Sequence, residues 1–149
     1  MVKRILVVYH SMGGNTKAAA AEVARGVAKV KGARPVLKRA AMAGARDLVR
    51  ADAYCFGTPD YFSYMAGMLK DFFDRAFYPS KGRTAGRPVG LFVTHGGGGV
   101  ASRSLERIAK SFKLRMVGRT VLVKDRPGRA ARKALRALGA RVAREALKK

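Results

Sequence analysis

Between an apolar run and an alanine-rich one the chain reads "YHSMGGNTKAAAAEVA", residues 9 to 24. Ser11, Asn15 and Thr16 are neutral hydrogen-bonding side chains, with Met12, Gly13 and Gly14 between them. Glycines in this position let successive backbone N–H groups turn into one concavity, and a following helix adds its positive N-terminal end. Such a nest of hydroxyls, amide and N–H groups, without a charge, suits a phosphate monoester held by hydrogen bonds alone. A plain glycine turn with Asn15 or Thr16 as an ordinary helix cap would use the same residues. Neither the lysine-bearing nucleotide loop G-x-x-x-x-G-K-[ST] nor G-x-G-x-x-G occurs.

Two further stretches carry unusual residues. "GTPDYFSYMAG", residues 57–67, holds Thr58, Pro59, Asp60, Tyr61 and Phe62. Its aromatics, with Tyr64, could flank a flat ring or cap the core. "THGGGG", residues 94–99, sets Thr94 and His95 before Gly96, Gly97, Gly98 and Gly99. Consecutive glycines are costly in chain entropy, which implies either a close approach or a mobile hinge. His95 could donate to a ligand carbonyl or point at water. No group of residues offers a catalytic acid, base or nucleophile, and none has metal-ligand spacing. The one cysteine, Cys55, lies in the apolar run "AYCFG" and reads as a buried, inert thiol.

The elements that must position these loops are strands alternating with helices. Short apolar runs at 4–10, 34–40, 52–58, 88–94 and 118–124 read as strands, the middle ones covered on both faces. Pro35 suits the second to a sheet edge. Helical spacing appears at 16–31, with Ala20, Val23, Ala24 and Val27 as its stripe and Glu22 off it, and at 64–77 through Met65, Met68, Leu69, Phe72, Phe73 and Ala76. Further helices are expected at 41–51, at 102–113 through Leu105, Ile108, Ala109 and Phe112, and at 129–149 through Leu135, Leu138 and Val142. This order means a parallel sheet with helices on both faces, in one α/β domain spanning 1–149. Ligands of such sheets bind outside the carboxyl ends of the strands, and the three unusual stretches follow strands one, three and four.

Charge is the anomaly: 32 Lys and Arg against 9 Asp and Glu give +23. Such a field attracts anionic cofactors, polyanions and acidic partners. The cations run the whole length, so a solvated surface explains them as well as a nucleic-acid or anionic-surface role does. No DNA- or RNA-reading motif is present, and the basic last helix has no interleaved aromatics, which argues against nucleic acid. No apolar run is long enough to span a bilayer. "MVKRILVVYH" reads as a first strand rather than a leader, and a cytoplasmic protein is the expectation.

Taken together, the three loops resemble a family. "SMGGNT" looks like the T/S-x-T-G-N-T phosphate loop of flavodoxins, with Gly13 in place of the middle hydroxyl. "YHSMGGNTKAAAAEVARG", "GTPDYFSYMAGMLKDFFD" and "RPVGLFVTHGGGG" are closer to the flavodoxin-like NAD(P)H:quinone oxidoreductases, the tryptophan-repressor-binding protein A type. The resemblance implies a three-layer sandwich around a five-stranded parallel sheet of order 2-1-3-4-5. It also implies FMN, with its phosphate on Ser11 to Thr16 and its ring between Asp60–Tyr61–Phe62 and Thr94 to Gly99. Those reductases usually carry threonine and arginine where Asp60 and Tyr61 stand, and they have longer, tryptophan-bearing insertions. This chain has no tryptophan.

The resemblance implies a redox protein carrying electrons through bound FMN, or alternatively an NAD(P)H-dependent quinone or flavin reductase. Its partner would be an acidic redox protein or a small-molecule acceptor, and the chain a monomer or dimer. Ordinary flavodoxins are acidic, so the basic charge here is expected to favour the reduced, anionic flavin.

Overall fold

The computed structural model describes residues 1–148. In chain order its strands are Lys3–Tyr9 (β1), Ala33–Arg39 (β2), Ala53–Tyr61 (β3), Tyr64–Met65 (β4), Pro88–His95 (β5), Arg115–Met116 (β6) and Val121–Lys124 (β7). The α-helices are Asn15–Ala28 (α1), Ala45–Arg50 (α2), Gly67–Ser80 (α3), Ala101–Ser111 (α4) and Arg129–Leu147 (α5). Lys149, the last residue of the expected final helix, lies outside the described residues.

Strands β2, β1, β3 and β5 pair in that order, all parallel, and β6 and β7 both pair with β5. The 2-1-3-4-5 path is therefore present, but the fifth position is divided between two short strands. Arg115 and Met116 pair with Pro88 and Val89, whereas Val121 pairs with Phe92. Residues 117–120 thus stand opposite only Gly90 and Leu91, a bulge that interrupts the expected strand 118–124. The remaining strand, β4, is the short antiparallel return of a hairpin from β3.

Alternation along the strands divides the core in two. Ile5, Val7, Tyr9, Cys55 and Phe92 pack with Val23 and Val27 of α1 and with Leu135, Leu138 and Val142 of α5. Leu6, Val8, Tyr54, Phe56 and Leu91 pack with Leu48 of α2, Leu69, Phe72 and Phe73 of α3, and Leu105 of α4. Burial on both faces is why these strands are apolar nearly throughout. Helices α1 and α5 touch through backbone: a Cβ at Gly26 would overlap the Arg136 carbonyl, and one at Gly139 the Val23 carbonyl.

Three expectations change. Glu22 is buried, because Arg136 of α5 reaches it at 2.7 Å. The 41–51 helix is a 3-10 turn, Ala40–Met42, followed by α2. The helix expected at 64–77 begins at Gly67, since Tyr64 and Met65 are used by the hairpin; Met68 is consequently exposed.

Candidate functional site

Parallel strands deliver the loops of β1, β3, β5 and β7 to one edge, where they enclose a cleft of about 260 Å³. Ser11, Met12, Gly13, Asn15, Thr16, Pro59, Asp60, Tyr61, Thr94, His95 and Gly96 line it, joined by Asp125. Gly14, Thr58, Phe62, Gly97, Gly98 and Gly99 do not.

The first wall is the turn into α1. Gly14 is the N-cap residue at φ 101, a left-handed conformation that glycine adopts readily, and no side chain caps the helix. The ordinary-cap alternative for Asn15 or Thr16 is therefore not what the turn does. Gly14 N–H donates to Ser11 Oγ at 3.1 Å, closing the turn on itself. Thr16 Oγ1 lies 2.7 Å from Thr94 Oγ1, both side chains buried, so the first and third loops share a hydrogen bond. Of the two hydroxyl protons, one makes that bond and the other is left to donate elsewhere.

A hairpin forms the second wall. Asp60 Oδ1 accepts from Ser63 N–H at 2.8 Å, and Oδ2 accepts from Ala101 N–H at 3.0 Å, in the first turn of α4. Its charge sits where a helix N-terminus favours an anion. Asp60 is thus a strut between hairpin and helix as well as a cleft residue. Thr58 is fully buried behind the wall, donating to the Pro59 carbonyl and accepting from Ala66 N–H. Phe62 and Ser63 make the tip, at φ 57 and 62. Phe62 is 102% exposed, so neither it nor the exposed Tyr64 caps the core. The Tyr61 ring stays at the cleft and meets the His10 imidazole edge-on at 6.2 Å. Burial, and then the Arg39 charge, hold the His10 pKa below the ordinary histidine value.

The glycine loop forms the third wall. Gly98 N–H donates to His95 Nδ1 at 2.9 Å, which leaves Nε2 as the N–H of the neutral ring. Gly99 is the glycine the fold itself needs: φ is +71, and a Cβ would lie 3.2 Å from His95 and Leu122. A Cβ at Gly96 or Gly97 would meet nothing within 4 Å.

Sequence reasoning missed Asp125 and Arg39. Asp125 follows β7, its N–H donating to the His95 carbonyl at 2.8 Å, and its neighbours Lys124 and Arg126 do not line the cleft. The signal available was its place at a carboxyl strand end. Arg39 ends β2 and donates to the Ser11 carbonyl at 3.2 Å, with its guanidinium 5.3 Å from the Tyr9 ring centroid. Nothing in its local sequence separates it from the other cations.

The model of the NADPH-dependent FMN reductase family matches residues 36–128, more than half of the chain. The chain belongs to this family. Its fold is that of flavodoxins. A flavodoxin from the domain Archaea superposes with a TM-score of 0.89 at 20% identity, covering 97% of this chain and 99% of that one. The flavodoxin-like, WrbA-like protein of Agrobacterium tumefaciens gives 0.81 at 24%, covering 97% of each. The two-electron-reduced flavodoxin of Megasphaera elsdenii gives 0.79 at 26%, covering 94% of this chain and 98% of that one.

Family membership fits a flavin-binding redox role and indicates FMN as the cofactor. The family match begins after the first loop, so that loop's fitness for the cofactor rests on its chemistry. The first turn of α1 has no side-chain cap and no acidic residue, and Ser11, Asn15 and Thr16 bring donors to it. Uncapped N–H groups and hydroxyls are what a phosphate needs. Among the described residues no helix is long and apolar enough to cross a membrane, and no cluster of three potential metal ligands occurs.

Proposed function

We propose that FMN is held in this cleft and that the protein is a redox protein carrying electrons through it. The phosphate is assigned to Ser11, Met12, Gly13, Gly14, Asn15 and Thr16. The ring is assigned between Pro59–Asp60–Tyr61 and Thr94–His95–Gly96. The bound flavin supplies the electron transfer; the chain's task is to hold it and to set the charge and hydrogen bonds around it. The observation that carries the reading is the make-up of the first wall: hydroxyl, amide and backbone N–H donors with no anionic side chain and no side-chain cap, at a helix N-terminus.

The other walls support the ring assignment. Gly96 lines the cleft and is not required by packing within the chain, so a ligand approaching closely is a reason for its lack of a side chain. The His95 Nε2–H is free of the bond that fixes Nδ1 and suits a carbonyl acceptor. Tyr61 lines the cleft, whereas Phe62 would have to fold inward from the hairpin tip to reach it.

Direct reduction by NADPH is a second reading, favoured by the family match itself. The visible spectrum of the purified protein tests the cofactor: yellow absorbance released by acid supports FMN, and its absence after FMN addition and desalting refutes the site. Stopped-flow mixing with NADPH then separates the readings. Rapid bleaching means a reductase. Flavin that bleaches only with a separate reductase present means a carrier. The net charge makes acidic proteins or small acceptors the favoured partners in either case.

A further inference from the structure

The wall assigned to the phosphate has no charge of its own, yet one exposed guanidinium is tethered to its first residue. Arg39 and Tyr9 are register partners on neighbouring strands, and the Arg39 guanidinium lies over the Tyr9 ring. One of its N–H groups donates to the Ser11 carbonyl at 3.2 Å, at the first residue of the turn. Aromatic stacking and a backbone acceptor together hold a planar cation whose side chain would otherwise be free at the surface. No carboxylate neutralises it: Arg39 takes part in none of the ion pairs among the described residues. Its charge reaches this edge of the sheet, where it contributes to the lowered His10 pKa.

We infer that Arg39 is a positioning residue for the phosphate of the bound flavin, acting through the Ser11–Met12 peptide and through its unneutralised charge. The inference rests on the FMN reading above. Donation to the Ser11 carbonyl polarises that peptide, which makes the Met12 N–H a stronger donor. It also holds the turn in which Ser11 Oγ accepts from Gly14 N–H. A cation held at the Ser11 carbonyl would add long-range attraction for a bound dianion, which screening by salt weakens.

Titrations of the flavin-free protein with FMN and with riboflavin, at low salt and at about 0.3 M salt, test this in the parent, Arg39→Met and Arg39→Lys. Arg39→Met is expected to weaken FMN about ten- to thirtyfold at low salt, with riboflavin unchanged. The salt dependence of FMN affinity should flatten in Arg39→Met. Arg39→Lys should keep that salt dependence and recover part of the affinity, since it restores the charge without the planar fork. Equal weakening of both flavins in Arg39→Met would mean a packing role and overturn the inference. So would a parent-like preference for FMN. A parent that binds riboflavin as tightly as FMN would instead overturn the phosphate-loop assignment, and this inference with it.

Discussion

Thr16 and Thr94 share one hydrogen bond at 2.7 Å in a buried position, and this pair allows folding and ligand binding to be separated. Thr16→Val keeps the side-chain shape and removes the hydroxyl. The Thr94 hydroxyl then loses its partner in a buried place, which costs about 1–3 kcal/mol of stability. If the Thr16 hydroxyl also donates to the flavin phosphate, a bond to a charged group worth about 1.5–3 kcal/mol is lost as well, or roughly 10- to 150-fold in Kd. Thr94→Val should cost similar stability, because it leaves Thr16 unpartnered, but less affinity, because Thr16 can still donate. The double variant is the decisive one. With both hydroxyls gone stability should return close to the parent value, while FMN affinity stays low and riboflavin affinity stays unchanged. Thermal unfolding of the flavin-free proteins measures the first quantity, and quenching of flavin fluorescence the second. If FMN affinity recovered along with stability in the double variant, Thr16 would be only a structural link between loops and the phosphate assignment would lose its most buried donor.

Other perturbations test the surrounding structure. Asp125→Asn removes a carboxylate from the cleft and should make reduction of the bound flavin less unfavourable, by on the order of tens of millivolts; potentiometry showing no shift would place Asp125 outside the flavin's field. Gly139→Ala forces a methyl into the Val23 carbonyl and should cost about 3 kcal/mol, lowering Tm by roughly 6–12 °C; an unchanged Tm would mean that α5 slides freely over α1. Burial pushes the Cys55 pKa up to about 12, so a thiol reagent at pH 8 should leave the folded protein unmodified and react once it unfolds. Because that pKa is raised above the ordinary thiol value of 9.0, the thiol's contribution to stability is full below about pH 9 and is lost as pH rises towards about 12. Cys55→Ala should remove that share of the alkaline loss.

Much of the fold was legible because its strands are buried on both faces and its helices on one. The apolar runs around Val7, Phe56 and Leu91 and the stripe through Phe72, Phe73 and Ala76 could hardly serve other elements. What escaped depended on contacts distant in the chain. Glu22 looks like a solvated helix residue until α5 brings Arg136 to it. Met65 fits the helical rhythm of its neighbours, yet Tyr64 pairs back onto Tyr61 and delays the helix by one hairpin. The two-residue turn at Phe62–Ser63 has positive φ at both positions without glycine or asparagine to signal it. The glycine and hydroxyl loops were readable as candidate cleft walls because all three follow carboxyl ends of parallel strands, although the same residue types also serve ordinary turns. Arg39 and Asp125 were not, because each matters only through its place on the sheet edge.

That place also explains how a chain of net charge +23 can have a cleft of mixed sign. Among the described residues Glu22, Asp47, Asp52, Asp71, Asp74 and Glu145 each take part in an ion pair, and Glu106 accepts from Thr120. The two remaining carboxylates, Asp60 and Asp125, take part in no ion pair and both line the cleft. Charges a few ångströms away outweigh a larger number screened across a Debye length of about 10 Å, so on the proposed reading Asp60 and Asp125 would oppose the preference for the reduced anion expected from net charge alone. Along β2, β1, β3, β5 and β7 the carboxyl edge presents Arg39, the uncapped turn of α1, Asp60, His95 and Asp125 in succession. At about 4.8 Å between neighbouring strands, the β2 and β7 backbones are some 20 Å apart along this edge. A ligand with a dianion at one end and an uncharged ring at the other fits this gradient in one direction only. On the proposed reading, the cation-rich end anchors the phosphate, and the carboxylates resist added negative charge on the ring. The basic surface is then free to attract partners without also setting the ease with which the flavin is reduced.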